Sequence, residues 1–304
     1  MPDARPDPTR PAGPTRSGVI HDIGYRHYDG ARLGRRHIAR ALFLESAKGA
    51  YGLGRSTRSK IMPMLLFAVV CIPAFIIAVI ASVTPVSELP SDYTSYVLNV
   101  SVLVSIYVAG QAPASVSRDL RFRVMPLYFS RPLERVDYVL AKYAALTVAV
   151  FVFVAVPLTI LFVGALLAEL PLSEQVPDYL RSLGGGLLMA LVLAGIGLVI
   201  ASVTPRRGLG VAAIITVLLV LGGVQGAVQG IAAAQGEDTV AGYAGLLSPF
   251  TLVDGVQSAL LGADTALPAG PPGDVGAVVF LVVTVLVVAG CLGALLLRYR
   301  RVSI

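Results

Sequence analysis

Three histidines, His21, His27 and His37, are the only imidazoles in the chain, and all precede the first long apolar run. Their spacing assembles no reactive centre. A zinc protease needs a motif such as H-E-x-x-H on one helix face, and the chain has none. A serine–histidine dyad acting inside a membrane needs an intramembrane imidazole, which is also missing. In HDIGYRHYDG two histidines flank five residues of an Arg-rich leader, the setting of ordinary surface residues, so no metal site is expected. GLGRSTRSK differs in spacing from the phosphate loop G-x-x-x-x-G-K-[ST], and it precedes an apolar run instead of following a strand. No T-V-G-Y-G filter marks a potassium pore. With neither a catalytic residue nor a P-loop, the chain is expected not to be an enzyme and to hold no cofactor of its own. If it does work, the energy must come from another chain.

What remains to be positioned is apolar. Of 304 residues 56% are hydrophobic and 14% charged, against roughly 25% charged in soluble domains. Mean hydropathy is +0.78, so lipid is the expected solvent. Six stretches, near 62–84, 94–116, 143–168, 182–203, 209–233 and 275–297, are long enough to cross a ~30 Å hydrocarbon core as helices of about 20 residues. None holds Asp, Glu, Lys or Arg, which argues against transport through charged relays. Carbonyl and hydroxyl ligands to sodium stay open. Cys71 and Cys291 lie within apolar runs and read as small hydrophobes. The first apolar run starts near residue 61 behind a polar leader, so no signal peptide is expected.

The segments between the runs sort by charge. Of 24 Lys and Arg residues, 23 lie in the leader 1–61, the segment 117–142, the turn 204–208 and the tail from Arg298. The segments 85–93, 169–181 and 234–274 hold only Arg181, beside ten acidic residues. Lys and Arg concentrate on the cytoplasmic side of membranes, which puts both termini in the cytoplasm. The expected fold is an all-α polytopic membrane protein with six transmembrane helices at 62–297 and a short tail, 298–304.

The leader divides in two. Residues 1–17 are Pro-rich and polar, a composition of disorder. Within 18–61, LGRRHIARALFLESAKGAYGLG spaces Ile38, Ala41, Leu42, Glu45 and Lys48 for a basic amphipathic helix lying on the inner membrane face. The alternative is a basic arm held by anionic lipid.

The segment SVSRDLRFRVMPLYFSRPLERVDYVLAKY, residues 115–143, concentrates arginine between two apolar runs. Arg118, Arg121 and Arg123 extend the second span. Pro126 is expected to break it, because proline lacks a donor and clashes with the preceding turn. Ser130 then offers a cap with Pro132 in the first turn of a new helix, whose apolar side is Leu133, Val136, Val139 and Leu140. This is a helix–turn–helix on the membrane face.

That segment resembles the first cytoplasmic segment of ABC-2 type transporter permeases, with its L-x-x-P-L-S-R-x-x-[FY]-x-x-x-K pattern. Pro126, Leu127, Ser130, Arg131, Pro132, Arg135, Tyr138 and Lys142 are the matching positions. LLSPFTLVDGVQSALLG, residues 246–262, is similar to the family's P-F element before the last span. The resemblance implies that 117–142 is a coupling element gripped by a separate ATPase dimer, which would hold the ATP and magnesium. A second permease subunit and membrane lipids complete the implied partners, in a bacterial plasma membrane. No nucleic acid is expected. Arg121, Arg123, Arg131 and Arg135 would register an acidic groove, or else bind lipid phosphate, about 1 kcal/mol each.

In the fifth span Gly222, Gly226 and Gly230 form a small-residue ridge for helix packing. Gln225 and Gln229 adjoin it, either lining a path or bonding a neighbouring helix. Tyr107, Gln111 and Ser115 share a face of the second span. The resemblance implies that these two spans line the pathway. A wall of amides in apolar surroundings suits a lipophilic or amphipathic solute. Before the last span, Ser248 and Pro249 should open a short outer helix stapled by Leu247 and Leu252, ending near Leu261 at Gly262, with GADTALPAGPPGD as a loose link. It could cap an exit or be inert. The reading reached is the permease subunit of an ATP-driven exporter. The rival is a non-transporting membrane scaffold that recruits cytoplasmic proteins through its basic face.

Overall fold

The computed structural model describes residues 30, 33–54, 56–84, 88–122, 124–130, 132–204, 206–263, 265, 267 and 269–300. Met1–Leu33 divides off as a separate unit, of which only Gly30 and Leu33 are described. The expectations for 1–17, for the first two histidines and for the end of the tail therefore lie outside the described residues. In the larger unit, Gly34–Ile304, the described residues are helices and turns with no strand.

Helix α1 (Arg35–Ala50) leads to α2 (Thr57–Val83). Gly52 makes that turn possible: its φ is +70°, and a Cβ there would lie 2.6 Å from the Ser59 carbonyl oxygen. α3 (Tyr93–Asn99) and α4 (Ser101–Arg121) follow, then the short α5 (Met125–Phe129). α6 (Arg135–Leu167), α7 (Leu172–Val203) and α8 (Arg207–Ala234) are long. α9 (Asp238–Ala244), α10 (Pro249–Val256, continuing as a π turn over Gln257–Leu261) and α11 (Gly273–Arg300) complete the chain.

Five of these helices, α2, α6, α7, α8 and α11, are long and apolar enough to cross a membrane; counting each of two bent pairs as one span gives seven. The second expected span is one of the bent pairs: the chain turns by 58° between α3 and α4. The bend falls at the polar run Asn99–Ser101, and the Ser105 hydroxyl donates back to the Ser101 carbonyl at 2.9 Å, a bond that bends helices. The other pair turns by 118° at Ser248 and folds the segment before α11 into a sharply bent wedge. The expected short outer helix opens as foreseen at Ser248 and Pro249, and every residue of α10 is buried. It ends, as its sequence suggests, at Gly262 with φ +64°, the left-handed residue that closes helices. The link after it also packs inward: the Thr265 hydroxyl donates to Asp254 at 2.9 Å, and a Cβ on Gly255 would meet Pro271 at 3.1 Å.

α6 and α7 form the enclosed centre, while α2, α8 and α11 present most of their surface outward. α2 approaches α6 closely at Gly164, where a Cβ would lie 2.4 Å from that of Ala78. Gly164→Leu should therefore separate the helices at an overpacking cost of about 1–3 kcal/mol. Gly226→Ala, whose added Cβ would meet nothing within 4 Å, should not lower the melting temperature in detergent.

The charge sorting seen in sequence is spatial. Arg35 bonds Glu134 and Asp137, Arg135 bonds the Arg300 carbonyl and Arg298 the Ser202 carbonyl, gathering the basic segments at one end. Glu88, Asp92, Glu174 and Asp178 line one cavity at the other.

Candidate functional site

The elbow between α4 and α6 is built differently from its sequence-based outline. α4 stops at Arg121, and the Val124 N–H closes onto the Asp119 carbonyl at 3.2 Å. Pro126 therefore does not break α4; it sits in the first turn of α5, where its absent N–H leaves no bond unmade. Ser130 ends α5 instead of opening α6, its hydroxyl donating to the Leu127 carbonyl at 2.9 Å. α6 begins only at Arg135, with the Glu134 N–H donating to Asp137 at 3.1 Å. Pro132 is left in the exposed linker ahead of that cap. The acidic pair prevails because it satisfies an orphan donor and sets negative charge against the positive end of the helix.

A buried network ties the two long helices together. Lys142 of α6 lies 3.1 Å from the Asp119 carboxylate of α4 and donates to the Ser115 carbonyl at 2.9 Å. The Tyr138 hydroxyl donates to the same Asp119 oxygen at 2.7 Å. Tyr138 itself is fully buried, with the rings of Tyr128 (5.6 Å) and Tyr299 (5.3 Å) against it, so α5 and α11 join the clamp. Tyr138 thus positions the elbow and has no surface to offer a partner. Arg135 is half-buried, donating to the Arg300 carbonyl at 2.8 Å with its guanidinium over the Phe129 ring. At the edge Arg35 of α1 grips Asp137 at 2.5 and 2.9 Å and also pairs with Glu134. Exposed to water, this contact sets the register of α1 more than it holds it. The α1 apolar face, Leu42 with Ile38 and Phe43, packs on the core.

Among the described residues, the elbow presents apolar side chains outward beside the exposed Arg121, Ser130 and Glu134. Phe122 is 68% and Leu127 70% exposed, with Pro126 and Pro132 also exposed and Arg121 over the Phe122 ring. Beside the tip runs a groove of about 360 Å³, lined by Phe129, Leu133, Val136 and Leu296 and flanked by Arg135 and Arg300. The apolar side expected of the new helix is split: Leu133 and Val139 are buried, Val136 and Leu140 exposed. Arg123 and Arg131 lie outside the described residues, as does the side chain of Arg118. Asp119 and Phe122 carry much of this site, and sequence reasoning passed over both. The signal for each was a residue of the wrong character, acidic or aromatic, within a run of arginines.

The residues expected to line a path do not meet. Tyr107 is fully buried and stacked on Phe153 of α6 at 4.3 Å, and Gln111 and Ser115 face α1 and α6. Gln225 and Gln229 are buried at the far end of α8. The Gln225 amide donates to Gln229 at 2.6 Å, and Gln229 donates to the carbonyls of Ala241 and Ala269 at 3.3 Å. Of the two roles open to these glutamines, the bonds are those of a tie to the wedge. Gln229→Leu should leave both carbonyls unmet, at about 1–3 kcal/mol, and speed hydrogen exchange over 238–261. The glycine ridge finds no partner among the described residues, for a Cβ on Gly222, Gly226 or Gly230 meets nothing within 4 Å. Where α4 does face α8, a groove of about 380 Å³ is lined by Ser101, Ser105, Gly222, Gln225 and Thr251. Asp254, which sequence left in an outer loop, is only 2% exposed within the wedge.

In comparisons with known proteins, no family model matches the chain, and no curated protein matches it significantly.

Proposed function

We propose that this chain is the membrane subunit of an ATP-driven exporter in a bacterial plasma membrane, with its basic end and both termini in the cytoplasm. A separate ATPase dimer grips the elbow, and a second six-span subunit, identical or homologous, packs beside this one. The reading rests on one observation above all: a clamped elbow with an exposed apolar tip. Tyr138, Asp119 and Lys142 bind the ends of α4 and α6 into one body. A push on Phe122 and Leu127 is then delivered to both helices, which a flexible loop cannot do. The tip and adjoining groove have the apolar centre and charged rim of a docking surface.

The groove between α4 and α8 is the path this reading favours. Its lining mixes aliphatic side chains and Phe250 with hydroxyls, glycines and one amide, and holds no charge. Such a wall suits a lipophilic or amphipathic solute. The unpartnered ridge of α8 supports a second subunit there, since glycines let helices approach closely in lipid.

Purification of the chain from its native membrane tests the proposal. An ATPase should accompany it, and hydrolysis should rise when lipophilic solutes are added to reconstituted vesicles. Transport by the chain with no companion protein, or an elbow reached by impermeant reagents from outside the cell, would end it.

A further inference from the structure

Behind the elbow lies a polar chamber of about 180 Å³, walled by α1, α4, α5 and α6. At roughly 30 Å³ per water molecule it has room for about six waters, the scale of a lipid headgroup without its tails. It shares Asp119, Lys142 and Tyr128 with the clamp, while the proposed path does not use it.

Gln111 lies eight residues, about two helical turns, deeper in α4 than Asp119. It is 7% exposed and lines the chamber. Its amide forms no hydrogen bond with any described residue. Facing the chamber, this amide offers a donor and an acceptor to a guest.

The guest's charge follows from the lining. Among the described residues, the chamber holds two carboxylates, Glu45 and Asp119, and one ammonium, Lys142. Lys142 is already engaged by Asp119 and the Ser115 carbonyl. Glu45 stands exposed on α1 and has no hydrogen bond or ion pair among the described residues. One negative charge is therefore left over. The Tyr128 phenol, pushed up by burial and then by the carboxylates of Asp119 and Glu45, stays neutral. Its ring gives a cation a further face. An inorganic ion is a poor fit, since Leu42 and Leu146 share the wall and no group of three acidic, histidine or cysteine ligands occurs among the described residues.

We infer that this chamber binds an organic ammonium group, with Glu45 as its counter-ion and Gln111 as its polar anchor. The ammonium can belong to an ethanolamine lipid headgroup or to a free amphipathic amine. The inference concerns binding by the chain alone and stands whether or not an ATPase drives it.

Native mass spectrometry of the purified full chain in a sugar detergent provides the test, with phosphatidylethanolamine, phosphatidylglycerol and dodecylamine offered separately. Retention of the ethanolamine lipid alone assigns a lipid headgroup. Retention of dodecylamine, alone or as well, assigns any amphipathic amine. In either case Glu45→Gln and Gln111→Leu should each lower retention at least tenfold, and Glu174→Gln at the far end should not. Glu45 is on the surface, so that variant remains informative if Gln111→Leu fails to fold. Equal retention of phosphatidylglycerol, no retention of either amine, or full retention by Glu45→Gln overturns the inference.

Discussion

Lys142→Met should destabilise the folded chain by about 3 kcal/mol or more, seen as early loss of the monodisperse species on heating in detergent. The side chains of Lys142 and Asp119 are only 9% and 15% exposed. Removing the cation strands the carboxylate, and breaking a buried pair from one side typically costs about 3–5 kcal/mol. The Tyr138 hydroxyl and what water reaches Asp119 soften this, but neither replaces a charge. Replacing both partners, as in Asp119→Leu with Lys142→Met, should recover most of the loss, because desolvation of the pair disappears with it. Recovery should stop short of the native value, since the Tyr138 hydroxyl then loses its acceptor, worth about 1–3 kcal/mol. Equal losses in the single and double variants would show that Lys142 matters for its packing and not for its charge.

Phe122→Asp combined with Leu127→Asp should do the opposite, leaving the fold intact and abolishing capture of the ATPase. Both side chains are more than two-thirds exposed, and substitutions at such positions usually change stability by no more than about 0.5 kcal/mol. At the centre of a docked interface each apolar anchor is worth about 2 kcal/mol or more. Losing two should weaken the partner's affinity on the order of a thousandfold, and a like charge in an acidic groove adds to that. Titration of the purified ATPase against wild-type and variant chains reads the result. Unchanged affinity would move the contact away from the elbow tip. Unchanged melting is the internal control that separates lost docking from lost folding.

The two experiments probe opposite sides of the same element. One asks whether the elbow is a single body, the other whether anything grasps it. A chain that keeps its clamp and loses its partner, and one that keeps its tip and loses its clamp, should both fail to turn ATP hydrolysis into movement.

Much of this molecule is legible in its amino-acid order. Apolar runs of about 20 residues have few alternatives to the helix, since unpaired backbone groups are too costly in lipid. That is why α2, α6, α7, α8 and α11 fall over five of the six expected spans. The charge asymmetry of the connecting segments survives as two ends of unlike charge. Gly262 ends its helix because glycine adopts the left-handed conformation without strain.

Sequence could not say which neighbours the polar residues would find. In sequence Gln225 and Gln229 are as consistent with a path as with a tie. In the fold Gln229 bonds the carbonyls of Ala241 and Ala269, while Gln225 both bonds Gln229 and borders the groove between α4 and α8. Tyr138 matched a coupling motif, but burial among Tyr128, Tyr299 and Asp119 makes it a positioning residue. The acidic cap of α6 is local, but that Arg35, 99 residues before Glu134, would pair with it was not legible in the sequence. The amino-acid order by itself determined where the helices lie, because local bonding and solvent preference act over one or two turns. Tertiary structure alone decided which charges are paired, which glycines are covered and where a cavity remains, because those depend on contacts between segments far apart in the chain.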